Sequence, residues 1–258
     1  MKYTLPEELI KFKDIINSSM KPVIKIKGEE ASTLLWDSKI GGNPYWELYN
    51  KDYPNDSNGK PMRLLAQINF TQMPHMEFFP TDGLLQFFIS ADDDIYGFND
   101  KDFTCQQNYR VVYHGCVNED IDKLITDFSF VAIDEWFPAP IEAKMLFQLD
   151  EEAVSIEDFQ FEKYFCESGR YIIDDEELDL YRDIIPGWDH KVGGYAYFTQ
   201  DDPRKKADKE YDIVLLQLDT DDSIDMMWGD AGVANFFIRK EELLKLDFTK
   251  VYYTWDCC

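Results

Sequence analysis

Short apolar runs that end at glycine, proline or aspartate dominate the chain and predict strands. Met62 to Phe70, Leu84 to Ser90 and Tyr109 to His114 form one set, and Ile213 to Leu218, Val233 to Ile238 and Lys250 to Trp255 form another. Pro22 to Gly28 and Met145 to Leu149 read as two further strands. Helical spacing is rarer. Leu5, Leu9, Phe12 and Ile16 follow a Thr4 and Glu7 capping-box pattern and predict an amphipathic helix over 5–18. Ile121, Leu124, Ile125 and Phe128 predict another behind an Asn118 cap, and shorter helices are expected over 156–166, 175–184 and 241–246.

The two strand sets match in kind and in order. Ser38-Lys39-Ile40-Gly41-Gly42-Asn43-Pro44-Tyr45 answers His190-Lys191-Val192-Gly193-Gly194-Tyr195-Ala196-Tyr197. Leu64 to Asn69 answers Val214 to Asp219, Gly83 to Ile89 answers Gly232 to Ile238, and Tyr109 to His114 answers Thr249 to Thr254. The pattern predicts an α+β fold: mainly antiparallel β, internally duplicated into two pseudo-symmetric halves, with a few peripheral helices. Residues 1–258 are read as a single domain with halves near 22–116 and 188–258 and an acidic helical connector near 130–187, because no flexible linker separates them.

Composition narrows the partners. A net charge of −25 repels phosphate backbones and anionic lipid, so nucleic acid and membrane are unexpected while a basic protein is compatible. The acidic residues concentrate between 130 and 190. No apolar run reaches the length of a membrane span, no leader pattern opens the chain, and the five cysteines lack disulfide or metal spacing. These features predict free thiols in a cytoplasm.

Catalytic frames are missing from the sequence, and the reading leans away from an enzyme with a cofactor or metal. Neither Lys39-x-Gly41-Gly42 nor Lys191-x-Gly193-Gly194 has P-loop or dinucleotide spacing. Asp219, Asp221, Asp222, Asp225 and Asp230 resemble a calcium loop, but Ile224 stands where the sharp turn needs glycine. Asp92-Asp93-Asp94 has Gly97 in that place, yet Tyr96 and Phe103 fall where oxygen ligands belong. Gln67 and Gln217 each interrupt an apolar strand at the same place in each half, so each needs hydrogen-bond partners or a ligand. Lys39, Gln67, Lys191, Arg204, Gln217 and Trp228 are therefore the candidate ligand or interface residues.

Ser38 to Pro44, Asn58 to Asn69, Gly83 to Ile89, Asp201 to Arg204, Leu215 to Asp219, Met227 to Ile238 and the ending Trp255-Asp256-Cys257-Cys258 resemble the bacterial YwqG-like family. That resemblance implies a mainly β, internally duplicated α+β protein of the bacterial cytoplasm. It implies no activity and no site residues. One departure is Ala196 in the second turn where the first has Pro44. The leading expectation is a non-enzymatic binding protein, with an immunity-type inhibitor of a basic partner fitting the charge. The alternative is a small-molecule protein or enzyme with its site between the halves.

Overall fold

Apolar alternation builds one curled antiparallel sheet in this protein. The computed structural model describes residues 2–90, 94–132 and 136–258. Its strands are β1 (Lys21–Glu30), β2 (Lys39–Ile40), β3 (Arg63–Asn69), β4 (Leu84–Ile89), β5 (Tyr109–His114), β6 (Ala143–Glu152), β7 (Cys166–Glu167), β8 (Arg170–Tyr171), β9 (His190–Gly193), β10 (Ile213–Asp219), β11 (Val233–Ile238) and β12 (Tyr252–Asp256). Ten of them form the sheet in the order β12-β11-β10-β9-β1-β6-β2-β3-β4-β5, and β7 with β8 is a separate hairpin.

The centre is the β1–β6 pair, in register from Lys21 opposite Glu152 to Glu30 opposite Ala143. On one side β6 carries β2, β3, β4 and β5; on the other β1 carries β9, β10, β11 and β12. The segment 130–187, expected to be a helical connector, thus contributes a ten-residue strand to the middle of the sheet as well as helices.

Curling brings the inner faces of the two wings together. Phe87 of β4 meets Phe236 of β11 with ring centroids 4.8 Å apart, and Tyr109 of β5 meets Tyr253 of β12 at 4.9 Å. The Tyr109 hydroxyl donates to the Val251 carbonyl at 2.7 Å. Both wings also carry a bulge, between Leu64 and Ala66 and between Val214 and Leu216. The extra residue turns Leu65 with Ala66, and Leu215 with Leu216, into the common core and leaves the following glutamine on the outer face. A loop seals the gap between the edge strands: the Tyr253 N–H donates to the Phe103 carbonyl at 2.8 Å, and Gln106 Nε2 to the Phe248 carbonyl at 2.7 Å.

The outer faces are covered unequally. Against Ala153 and Val154, just past β6, and Tyr195, just past β9, lies a helical layer made by a 3-10 turn (Glu7–Phe12), α1 (Lys13–Ser18), α2 (Phe161–Phe165) and α3 (Asp175–Ile184), packed around Phe12, Phe165 and Tyr181. The α3 helix begins at a capping box of Asp174 and Glu177. The N-terminal helix instead starts at Pro6, without the expected Thr4 cap. A fourth helix, α4 (Lys240–Leu244), precedes β12.

The helix expected behind Asn118 is absent; only Ile121–Lys123 makes a 3-10 turn. Ile125 N–H donates to the Trp46 carbonyl at 2.8 Å and Leu48 N–H to the Lys123 carbonyl at 2.9 Å, so the segment runs extended beside 46–48. Leu124 and Phe128 reach the outer cover from that extended chain, and tertiary pairing overrides the helical spacing.

Candidate functional site

The sequence candidates lie in transverse polar rows on the outer face of the sheet. Across one wing, Lys144, Lys39, Gln67 and Gln86 stand in cross-strand register; across the other, Lys25, Lys191, Gln217, Asn235 and Thr254 do. Each buried glutamine clamps the loop above it. Gln67 Nε2 donates to the carbonyls of Leu35 and Asp37, both at 2.7 Å, and its Oε1 accepts the Tyr45 N–H at 3.0 Å. Gln217 Nε2 donates to the carbonyls of Gly187 at 3.2 Å and Asp189 at 2.9 Å, and its Oε1 accepts the Tyr197 N–H at 2.8 Å. The amides one strand further out complete the clamp: Gln86 Nε2 donates to the Tyr45 carbonyl and Asn235 Nδ2 to the Tyr197 carbonyl, both at 2.8 Å.

The glycine pairs make the tight bends between lysine and tyrosine. Gly193, at φ +74°, lies so close to Met76 that a Cβ would sit 2.7 Å from its sulfur. Beside it, Glu152 accepts from Lys191 Nζ at 2.8 Å, from the Tyr195 N–H at 2.7 Å and from Lys25 Nζ at 3.0 Å. Burial raises the Glu152 pKa, but the Lys191 and Lys25 ammoniums outweigh it and hold the carboxyl below the ordinary glutamate range. Its folded pKa is depressed, so the stability it supplies is present above its unfolded value and is lost as pH falls through the folded one. Urea denaturation of Glu152→Gln should show lower stability at neutral pH and a smaller further loss between about pH 5 and pH 3 than the parent. An unchanged acid limb would remove Glu152 as its source.

Lys39 repeats the arrangement more loosely, donating to the Asn43 carbonyl at 3.0 Å and to Glu142 at 3.3 Å. Arg204 lies elsewhere, its guanidinium held by Asp202, Asp158 and the Tyr211 carbonyl with its carbon 3.7 Å from the Phe237 ring centroid. Trp228 is buried apart from all of these, against Tyr96 and Trp255. The structure therefore brings Lys39 to Gln67 and Lys191 to Gln217, but it does not gather the candidates into one cleft. The hollow between the wings, of 310 Å³, is lined instead by Met76, Phe78, Phe79 and Gly193 among others.

A different groove runs along the edge of the β9–β10 wing as three adjoining hollows. The first, of 680 Å³, lies over β1 and β6 and reaches His190, Asp219, Asp221 and Asp222. A second, of 290 Å³, shares Asp189, Asp219 and Thr220 with it and adds Trp188, Tyr197 and Ala231. The third, of 360 Å³, shares Trp188 and Tyr197 and extends to Glu157, Arg182 and Lys205.

The basic side chains along this groove are already engaged: Lys25 with Glu152, Lys27 with Glu29, Arg182 with Asp179 and Glu157, and Lys205 with Asp201. Among the described residues, Asp189, Asp219, Asp221 and Asp222 have no ion pair with lysine or arginine. His190 is buried and held at both nitrogens: Nδ1 accepts the Asp219 N–H at 2.9 Å, which leaves the proton on Nε2, 3.3 Å from Asp221. That bond, with Ser223, holds the Asp221 carboxyl well below the usual range, while burial pushes Asp219 up. These carboxylates serve turns and His190, unlike the converging oxygens of a calcium loop. Of the other acidic loop, Asp92 and Asp93 lie outside the described residues.

The opposite wing provides an internal control. Ser38 Oγ accepts the Asn69 N–H at 2.9 Å, the same bond that His190 makes with Asp219 at the end of the equivalent strand pair. Asn69 stands where the groove has Asp219, and Gln72 there donates to Asp37 Oδ1 at 2.8 Å. The strand ends accordingly close without an aspartate at that point. The likeness also extends two residues upstream of Ser38 and His190, to Trp36-Asp37 and Trp188-Asp189. That extension was the available signal for Trp188, which is 54% exposed.

The sequence model of a family described as a domain of unknown function (DUF1963) matches residues 38–257. The chain belongs to the DUF1963 family. Its matched span opens just before β2 and closes after β12, so it holds Gln67, Gln217 and the aspartates of the groove, but not β1 or the Leu35 and Asp37 carbonyls that Gln67 grips. A search of curated proteins finds no match to the chain. No helix among the described residues is long and apolar enough to cross a membrane.

Proposed function

We propose that this DUF1963 protein is a non-catalytic binding protein that holds a basic polypeptide against the acidic groove of the β9–β10 wing. The observation that carries this reading is the contrast between wings. Asp219 occupies a place that Asn69 fills on the other side, so folding does not demand a charge there. Four carboxylates without lysine or arginine partners then gather in one groove of a chain whose net charge is −25. Such a field steers a cationic partner and discriminates against anionic ones. The buried His190, engaged at both nitrogens, gives the groove a fixed wall.

An immunity-type inhibitor of a basic protein in a bacterial cytoplasm is the form of this activity that best fits, given the free thiols and the likeness to the YwqG-like family. The architecture fits an internal duplication: lysine, paired glycines, tyrosine, bulge and glutamine clamp recur in both wings with the same hydrogen bonds. In this reading the first strand of each copy, β1 or β6, has crossed to pair beside the other copy.

The test is lysine-reactive crosslinking of the whole chain in an extract of its native cell at low ionic strength. A basic polypeptide joined through Lys27 or Lys205 is expected, with the crosslink lost in Asp221→Asn/Asp222→Asn and not formed when the reaction is run at about 0.5 M salt. Crosslinks that fall elsewhere, or a partner indifferent to the two substitutions, would sink the proposal.

A further inference from the structure

The middle hollow of the groove is more specific than its charge. We propose that Trp188, Tyr197, Asp189 and Asp219 form a pocket for the guanidinium of one arginine side chain of the partner, an assignment that rests on the basic-polypeptide reading above. This hollow, of 290 Å³, is lined by the aromatic residues Trp188 and Tyr197 and the acidic residues Asp189 and Asp219.

A guanidinium is the cation that uses both kinds of wall. It is planar, stacks on an aromatic face and presents a fork of donors to carboxylate oxygens, whereas an ammonium acts as a strongly hydrated point charge. The protein already holds one guanidinium in this way: Arg204 lies 3.7 Å from the Phe237 ring centroid while Asp158 and Asp202 accept its N–H groups.

The pocket is built in advance of its occupant. Gln217 grips the carbonyls of Gly187 and Asp189, the two residues flanking Trp188, and Lys191 Nζ donates to the Gly187 carbonyl at 2.8 Å. Gly187 at φ +71° and Asp189 at φ +78° bend the chain sharply on either side of the indole. The aromatic ring is thus presented half-exposed on a fixed backbone, with Tyr197 held by the same glutamine through its N–H. Burial and the negative charge of Asp219 push the Tyr197 phenol up, so the phenol lies within the field of that carboxylate. On the other wing, Gln67 brackets Trp36 in the same manner, but that tryptophan packs into the outer cover beside Tyr45 and Leu124, and Asn69 replaces the acid.

The experiment is calorimetric titration of the full chain with hexa-arginine at low salt, with hexa-lysine and hexa-citrulline as controls. Hexa-arginine should bind, hexa-lysine about tenfold more weakly, and neutral hexa-citrulline not measurably. Trp188→Ala and Asp219→Asn should each weaken hexa-arginine by about tenfold, with the melting temperature little changed in Trp188→Ala, since Trp188 is exposed, and lowered in Asp219→Asn by the loss of one of its two backbone bonds, to the Asp189 N–H or the Thr220 N–H. Equal affinity for hexa-arginine and hexa-lysine, or affinity unmoved by both substitutions, would overturn the guanidinium pocket. Binding that survives these changes but disappears in Asp221→Asn/Asp222→Asn overturns the pocket alone and leaves the acidic groove standing. No hexa-arginine binding at all overturns the pocket, while a basic partner crosslinked through Lys27 would still support the wider reading.

Discussion

Arg204→Ala should cost this protein about 3–5 kcal/mol, enough to leave little folded protein at physiological temperature. The guanidinium is fully buried, as are the carboxylates of Asp158 and Asp202 beside it. Removing it leaves two anions out of water without their cation, and a stranded buried charge is far more costly than the net value of the pair. Backbone donors offset part of the loss, because Asp158 also accepts the Ala196 N–H at 2.9 Å and Asp202 the Phe159 N–H at 2.8 Å. Arg204→Lys should also fail, since one ammonium cannot reach Asp202, Asp158 and the Tyr211 carbonyl together. Arg204→Met combined with Asp158→Asn should recover part of the loss by lowering the stranded charge. Urea midpoints followed by circular dichroism decide the matter, and a loss below about 1.5 kcal/mol for Arg204→Ala would show that the cluster is solvated or redundant.

Such a cluster was only half legible in the sequence. Arg204 stood out near Asp202, but Asp158 is distant in the chain and nothing local tied the two together. The strands were readable because their apolar runs are long, bounded by glycine, and dictated by burial on one or both faces. Helix α3 was legible because Pro186-Gly187 stops it, and the capping box of Asp174 and Glu177 that opens it is a feature of the structure. The segment at 118–128 was misread as helix because Leu124 and Phe128 satisfy a helical period by accident, while pairing with 46–48 fixes it extended.

The partners of β1 and β6 were beyond local pattern altogether. Each strand was visible, yet their union at the centre of the sheet sets β1 beside β9 and β6 beside β2, and strand order is a property of long-range contacts. The groove escaped for a related reason. Within one segment its acids read as a metal loop, whereas the structure sets Asp219 beside Trp188 and Tyr197 from other segments. Lys191 and Gln217 are buried, and they grip the backbone on either side of Trp188 from beneath.

The matched glutamines give the sharpest test of the two-wing architecture. Gln67→Leu and Gln217→Leu should each lower stability by about 2–3 kcal/mol: the first strands the Leu35 and Asp37 carbonyls, the Tyr45 N–H and one Gln86 amide hydrogen, and the second the Asp189 carbonyl and the Tyr197 N–H, while Lys191 still serves the Gly187 carbonyl. Leucine is close in volume, so the loss reflects hydrogen bonding more than a cavity. Their local consequences should differ. In Gln217→Leu, hydrogen exchange should accelerate at 187–190 and hexa-arginine should bind more weakly, since the Asp189 carbonyl loses its donor and the Gly187 carbonyl keeps only Lys191. In Gln67→Leu, exchange should accelerate around Trp36 while the groove keeps its affinity. Comparable stability losses with only one variant affecting binding is the result expected if the wings share a scaffold and one alone carries the site. If exchange instead rises across the whole sheet in both variants, the glutamines are general core supports and the loops above them are positioned by other contacts.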